Sequence, residues 1–302
     1  MSTIQAPAHS RHLRATAATL AVILGDENGV PADPGTVTIG VTKADGTEVV
    51  ASGTATTDDD ANTLGRRYYA LTASQTASLD RLSATWTVSG VTVASTVHEI
   101  VGGYWFTIAE LAGMPGVASA LGKVPADTSA ATSTTELVRL RREVEELLEW
   151  ATGVAWVPRY AYESLDSPGA PVLQTSWPRV RTLRSLSLDG TAQTTSDYVV
   201  DEWGAVRDKD GGTISATNYR GVVVGYEHGY DRPPEPLKRA ALQCAAARLM
   251  AERTSYTSMR TASVSVDGMV TQFARIDPDH PTGIPEVDGI VRAYSHRTPG
   301  MA

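Results

Sequence analysis

A single cysteine, Cys244, stands in 302 residues, so no internal disulfide framework is open to this chain and a reducing compartment suits it. Basic residues are outnumbered, 26 to 34, and the net charge of −8 argues against a phosphate-binding surface as its main business. No apolar run is long enough to span a bilayer. The stretch ATAATLAVIL (15–24) has the look of a signal-peptide core, but GDENGVP follows it instead of a small-residue cleavage site, so it is read as a strand.

Catalytic and metal-binding patterns are also missing. The histidines (His9, His12, His98, His228, His280 and His296) lack the i, i+4 partner or cysteine pair of a zinc site. Cys244 sits in an apolar helical stretch, where a thiol stays protonated. There is no G-x-S-x-G elbow, phosphate-binding glycine loop or H-E-x-x-H. Acidic pairs such as Asp277 and Asp279 stand in turn sequence, where aspartate serves backbone hydrogen bonding. No cofactor, no metal and no enzyme activity are expected.

Residues 12–103 are written in period two. VTIGVTKADGTEVV (37–50) alternates Val37, Ile39 and Val41, turns at Asp45-Gly46 and resumes at Val49. RRYYALT (66–72) and SATWTVSGVTVASTVHEIV (83–101) repeat the style, the second turning at Ser89-Gly90. LTASQTASLD (71–80) reads as a short helical crossing. Such a density of short β runs predicts an immunoglobulin-like sandwich. DDDANTLG (58–65) is polar enough for an exposed loop, and its acidic triplet lacks EF-hand spacing.

Gly102-Gly103 then reads as a flexible joint, and Tyr104, Trp105 and Phe106 as an aromatic plug docking one domain on the other. The period becomes helical at Ser133 and Glu136, which have capping-box spacing. Leu137, Leu140, Val144, Leu147, Leu148 and Ala151 form one apolar stripe up to the stop at Gly153. Arg139, Arg142, Glu143, Glu145, Glu146 and Glu149 occupy the rest. Extended runs follow, and a second helix covers LKRAALQCAAARLMAERTS (237–255). Its alanines allow close approach on several sides. Two readings stay open: a central helix of its own core, or one shared with a neighbouring chain.

From residue 136 onward the sequence resembles the head–tail connector (adaptor) proteins of long-tailed bacteriophages, siphophage type. The matching stretches stand in the family's order: V-A-W-V-P-R (Val154 to Arg159), W-P-R-V-R-T-L-R-S-L-S-L-D-G (Trp177 to Gly190), Y-E-H-G-Y-D-R-P-P-E-P-L-K-R-A-A-L (Tyr226 to Leu242) and T-G-I-P-E-V-D (Thr282 to Asp288). The N-terminal part is similar to the extra immunoglobulin-like domain of some actinobacterial-phage versions, with H-E-I-V-G-G-Y-W-F (His98 to Phe106) at the junction. The resemblance implies two domains: an all-β immunoglobulin-like sandwich (1–103), then, after a linker (104–135), a mainly α-helical (α+β) adaptor domain (136–302).

It also implies a structural virion protein of the head–tail neck, made in the host bacterial cytoplasm. Its partners would be copies of itself in a ring, typically a dodecamer, together with the portal protein and a stopper or tail-terminator protein. DNA would pass through the lumen without specific binding. A ring needs head-to-tail contacts from two different faces of each subunit. Contacts to portal or neighbour are expected from Ile284, Val287, Ile290, Val291, Tyr294, His296 and Arg297, on a closing helix opened by Pro285. An inter-ring hairpin is expected at 262–277, built on Val264, Val266, Val270 and Phe273 and turning at Asp267-Gly268. A rival class is a carbohydrate-binding or adhesion module, which displays exposed aromatics. Tyr68, Tyr69 and Trp86 alternate in strands, where burial in a core is the expectation instead.

Overall fold

The computed structural model describes residues 10–25, 28, 30–57, 65–117, 120, 130–167, 169–253, 263–266, 269–272 and 280–295. The chain divides into two compact units that cut across its order. One comprises Met1–Gly103 and Val157–Asp231, the other Tyr104–Trp156 and Arg232–Ala302.

The first unit opens with β1 (Ser10–Leu13), β2 (Ala18–Ile23), β3 (Val37–Thr42), β4 (Glu48–Thr54), β5 (Thr56–Thr57), β6 (Arg66–Leu71), β7 (Asp80–Val88) and β8 (Val91–Val101). They pair in the orders β1-β8-β7-β3-β4 and β2-β6-β5. Side chains from both sheets, among them Leu20, Ile39, Leu71, Leu82, Trp86 and Ile100, form one buried cluster, so period-two alternation has closed a sandwich. β7 and β8 turn at Ser89 and Gly90, whose φ of 47° and 82° match a two-residue hairpin. The stretch 71–80, read as a helical crossing, forms turns between β6 and β7 instead, with Thr76 Oγ1 donating to Thr16 O at 2.5 Å. Much of the acidic loop 58–65 lies outside the described residues.

A second β lobe completes this unit. It consists of β9 (Arg159–Leu165), β10 (Val172–Gln174), β11 (Val180–Leu188), β12 (Thr191–Ala192), β13 (Tyr198–Val200), β14 (Ala205–Asp208) and β15 (Val222–His228). One sheet runs β12-β11-β15-β9 and another β10-β14-β13. Ala161, Leu173, Leu186, Val206, Ile214, Val222, Val224 and Tyr226 make its separate core. Here the mainly α-helical reading of 136–302 is corrected: strands hold 39% of the described residues and helices 24%, and nine of the strands fall within 136–302. The two strongly periodic helices dominate the sequence pattern, while the intervening runs are short and rich in β-branched residues that fit a pleated surface.

The second unit holds the helices α1 (Ile108–Ala112), α2 (Ala130–Thr152), α3 (Glu235–Arg253) and α4 (Pro285–Ala293), with the ribbon β16 (Ser263–Val266) and β17 (Met269–Gln272). Within the stretch 104–135, α1 starts at a capping box: Thr107 and Glu110 satisfy each other's backbone N–H groups. The helix α2 starts ahead of the Ser133–Glu136 signal and ends where Gly153, at φ 71°, donates to Glu149 O. The small face of α3 (Leu237, Ala240, Ala241, Cys244, Ala245, Leu249) is buried within this unit, where α3 packs on α2 and α4.

The pattern assigns Glu145 and Glu149 to the polar face of α2, but both are buried, as is Arg141. At spacings of four these residues lie on one side of the helix and grip the preceding segment. The Arg141 guanidinium lies 3.4 Å from the Tyr104 ring centroid. Glu145 Oε1 accepts from Trp105 N at 2.9 Å, and Glu149 Oε1 from the Trp105 indole at 3.2 Å. The aromatic plug is therefore seated inside the helical unit by buried carboxylates. Replacing Glu145 by Ala leaves a buried N–H short of an acceptor and should lower unfolding free energy by about 1–3 kcal/mol in urea titrations. Glu143→Ala, which removes a half-exposed i, i+4 pair with Arg139, should stay within about 0.5 kcal/mol.

Candidate functional site

Among the described residues no three His, Cys, Asp or Glu converge as a metal site, and no helix is long and apolar enough to cross a membrane. Burial pushes the Cys244 thiol up to about 11, so at neutral pH it is a protonated core group. The candidate surfaces are therefore the closing helix, the ribbon and the exposed loops.

The helix α4 is held at its start by a polar lock. Asp288 Oδ1 accepts from Thr282 N at 2.9 Å and from Thr282 Oγ1 at 2.7 Å, and Ile284 N donates to Thr282 Oγ1 at 3.2 Å. Gly283 bridges the corner at φ 68°, a conformation open to glycine. Thr282 and Asp288 are both 2% exposed, so the lock is buried. This explains T-G-I-P-E-V-D as a unit: threonine and aspartate clasp, glycine turns and Pro285 begins the helix.

Of the residues expected to make contacts, Val287 and Val291 are buried against the second unit and Ile290 is half-buried. Ile284 is the N-terminal cap residue, half-buried. Tyr294 meets Trp156 edge-on with centroids 5.8 Å apart, and Ser295 Oγ donates to Ala151 O at 3.3 Å, fastening the helix end to the end of α2. His296 and Arg297 lie outside the described residues. The face turned outward is Pro285, Glu286, Gly289, Arg292 and Ala293, spaced as one helical stripe.

The ribbon pairs Ser263 with Gln272, Val264 with Thr271, Ser265 with Val270 and Val266 with Met269. Asp267, Gly268 and Phe273 lie outside the described residues. The ribbon joins no other sheet.

Two exposed aromatics in the first unit escape the period-two reading because they sit in loops. Trp203, 58% exposed, lies in a turn where Asp201 Oδ1 accepts from Trp203 N and Ala205 N, both at 2.9 Å. Gln174 Nε2 donates to Trp203 O at 2.7 Å. Tyr219, 79% exposed, lies in a loop whose Thr217 N, Thr217 Oγ1 and Asn218 N all donate to Asp189. These backbone bonds hold the Asp189 carboxyl below its usual range. An Asp-x-Trp-Gly turn is the one sequence signal that could have flagged Trp203.

A buried charged cluster occupies the first unit. Glu99 Oε2 accepts from Arg11 Nε at 3.1 Å and from Arg159 Nη1 at 2.6 Å. Burial alone would raise the Glu99 carboxyl, but Arg159, Arg11 and Arg81 hold it below its usual range. Next to it, burial and Arg159 push His228 down to about 3, and its ring stacks on Trp177 at 5.1 Å. At the end of the sandwich core, Ser10 Oγ lies 2.7 Å from both His12 Nε2 and His98 Nδ1. His98 Nε2 is 2.8 Å from Thr96 Oγ1, which accepts the Trp86 indole N–H at 3.0 Å. Burial pushes His12 down to about 4.

No family model and no curated protein matches this chain. Among solved structures, a chain described as the neck of an empty GTA particle computed with C6 symmetry is 16% identical, with a TM-score of 0.38. The match covers 66% of this chain and 97% of that one.

The histidines give a signed pH prediction. His12 and His228 titrate lower folded than the ordinary 6.5, so the unfolded chain binds more protons as soon as the pH falls below that value. Stability should be flat above pH 7 and fall towards pH 4.5, by up to ~1.4 kcal/mol per pH unit for each histidine. Glu99, depressed like a paired carboxylate, adds a loss only in the carboxylate range below that. Urea midpoints from pH 7.5 to 4.5 read this directly, and His12→Gln should shallow the slope by about one proton. Separately, Asp288→Ala should cost about 1–3 kcal/mol, because two buried Thr282 donors lose their acceptor.

Proposed function

We propose that this chain is a structural subunit of a virion head–tail neck: an adaptor that assembles with copies of itself into a ring and contacts a portal protein and a stopper or tail terminator. The observation that carries this reading is the locked closing helix. The resemblance to phage adaptors rests on four stretches, and the last, T-G-I-P-E-V-D, is built as a buried clasp that positions α4. A fixed helix with one face buried and Pro285, Glu286, Gly289, Arg292 and Ala293 turned outward offers a defined surface to another chain. In this reading Val287, Val291 and Ile290 seat α4 on its unit, while His296 and Arg297, beyond its end, reach the neighbour or the portal. The ribbon at Val264, Val266 and Val270 contributes the second, inter-ring contact, since a two-stranded ribbon alone is marginal in water.

A second reading, a carbohydrate-binding or adhesion module, is favoured by one observation. Trp203 and Tyr219 are exposed on loops whose backbones are tied down, as an aromatic platform for sugar rings requires. Glycan-array binding that is lost in Trp203→Ala and Tyr219→Ala would favour that reading.

Truncation after Ser295 is the direct test of the first. It keeps the Tyr294–Trp156 contact and the Ser295–Ala151 bond, so the protein should stay folded, with its thermal midpoint within a degree or two of the full chain. Particles assembled with the truncated chain should accumulate as DNA-filled heads and free tails in negative-stain images. Normal yields of joined particles would remove the tail from the assembly mechanism.

A further inference from the structure

Gly102 and Gly103 look like a hinge behind a finished sandwich, yet the backbone there is engaged. Gly102 N donates to Pro158 O at 2.9 Å, and a Cβ at Gly102 would lie 2.6 Å from the Pro158 side chain. Glycine at this position permits a close approach between the end of β8 and the start of β9. The sandwich therefore touches the second β lobe where the sequence suggests slack.

Charged side chains extend that contact. Glu99, on β8, accepts from Arg11 on β1 and from Arg159 on β9, so one carboxylate serves guanidiniums from both lobes. Arg159 is 3% exposed, and a guanidinium that cannot shed its charge is costly to bury without a carboxylate. A second tie runs the other way. Arg184, on β11, donates through Nη1 to Leu79 O at 2.7 Å, ahead of β7, and through Nε to Glu227 Oε1 at 2.8 Å. Its guanidinium lies over the Tyr160 ring at 5.0 Å. Leu79 is fully buried. Each lobe thus supplies the counter-group for a cation or carbonyl of the other.

We infer that the sandwich and the β9–β15 lobe form one cooperative folding body joined through Glu99, so the sandwich is built into the second half of the chain and is not a module carried at its N-terminus. Losing the sandwich strands Arg159 without its Glu99 carboxylate and uncovers the Pro158 approach, while losing the lobe takes the Arg159 donor from Glu99 and the Arg184 donor from Leu79 O. A force or contact on the sandwich is then felt by β9 and β15 directly. The inference rests on the first unit alone and holds whatever the chain assembles with.

Native-state hydrogen exchange of the full chain, read by mass spectrometry over a low-denaturant series, tests it. Amides of β7 and β8 and amides of β9 and β15 should converge on one opening reaction with one denaturant dependence. Glu99→Gln should accelerate both sets by the same factor, on the order of a hundredfold. Arg184→Met, at the partly exposed rim, should accelerate both by a smaller common factor, and it stands in if Glu99→Gln does not fold. Distinct denaturant slopes for the two sets in the unaltered protein would overturn the inference. So would a variant in which the sandwich keeps its protection while β9 and β15 lose theirs.

Discussion

A guanidinium cannot be buried cheaply, and the first unit is organised around that constraint. Arginine stays charged at any accessible pH, so the nearly sealed Arg159 requires a carboxylate within reach. Glu99 provides it and engages Arg11 at the same time. Because β1 and β8 run parallel in one sheet and Arg159 opens β9, the register of three strands is tied to one carboxylate. The neutral, buried His228 beside this cluster is a consequence, since burial and the neighbouring Arg159 both oppose a further positive charge.

The helical unit solves a related problem with the opposite charge. Its longest helix buries two glutamates, and the donors that satisfy them come from the Trp105 backbone and indole. The same economy appears at Asp288, whose Oδ1 takes both Thr282 donors in a buried site. In each case a buried acid fixes the course of the chain just before a helix or against it. Hydrophobic contacts alone would allow the segment to slide, whereas a hydrogen-bonded acid in a low-dielectric setting admits one geometry.

Each lock lies within one unit and fixes the chain beside a helix or strand there. The stretches that resemble phage adaptors coincide with junctions: the end of α2 into β9, the loop into β11 and its hairpin, the passage from β15 into α3 and the start of α4. Under the ring assembly proposed above, identical copies must present identical faces for the ring to close.

Periodicity along the chain was enough to specify the sandwich strands, their turns at Asp45-Gly46 and Ser89-Gly90, the long helices and the Gly153 stop, because each follows from the spacing of neighbouring residues. Of the expected hairpin at 262–277, the pairing of 263–266 with 269–272 is described, while the turn at Asp267-Gly268 lies outside the described residues. Burial of Glu145, Glu149 and Arg159 was not legible, because a charged residue reads as solvent-facing until its partner is known. Those partners lie 40, 44 and 60 positions away. The share of strand in the second half was underestimated because short β-branched runs become a sheet only when they pair. Gly102 shows the same limit: alone it reads as freedom, and only the arrival of Pro158 turns that freedom into a fit. Local pattern determined which elements form; long-range desolvation and pairing, settled only when distant residues meet, decided which of them belong to one body.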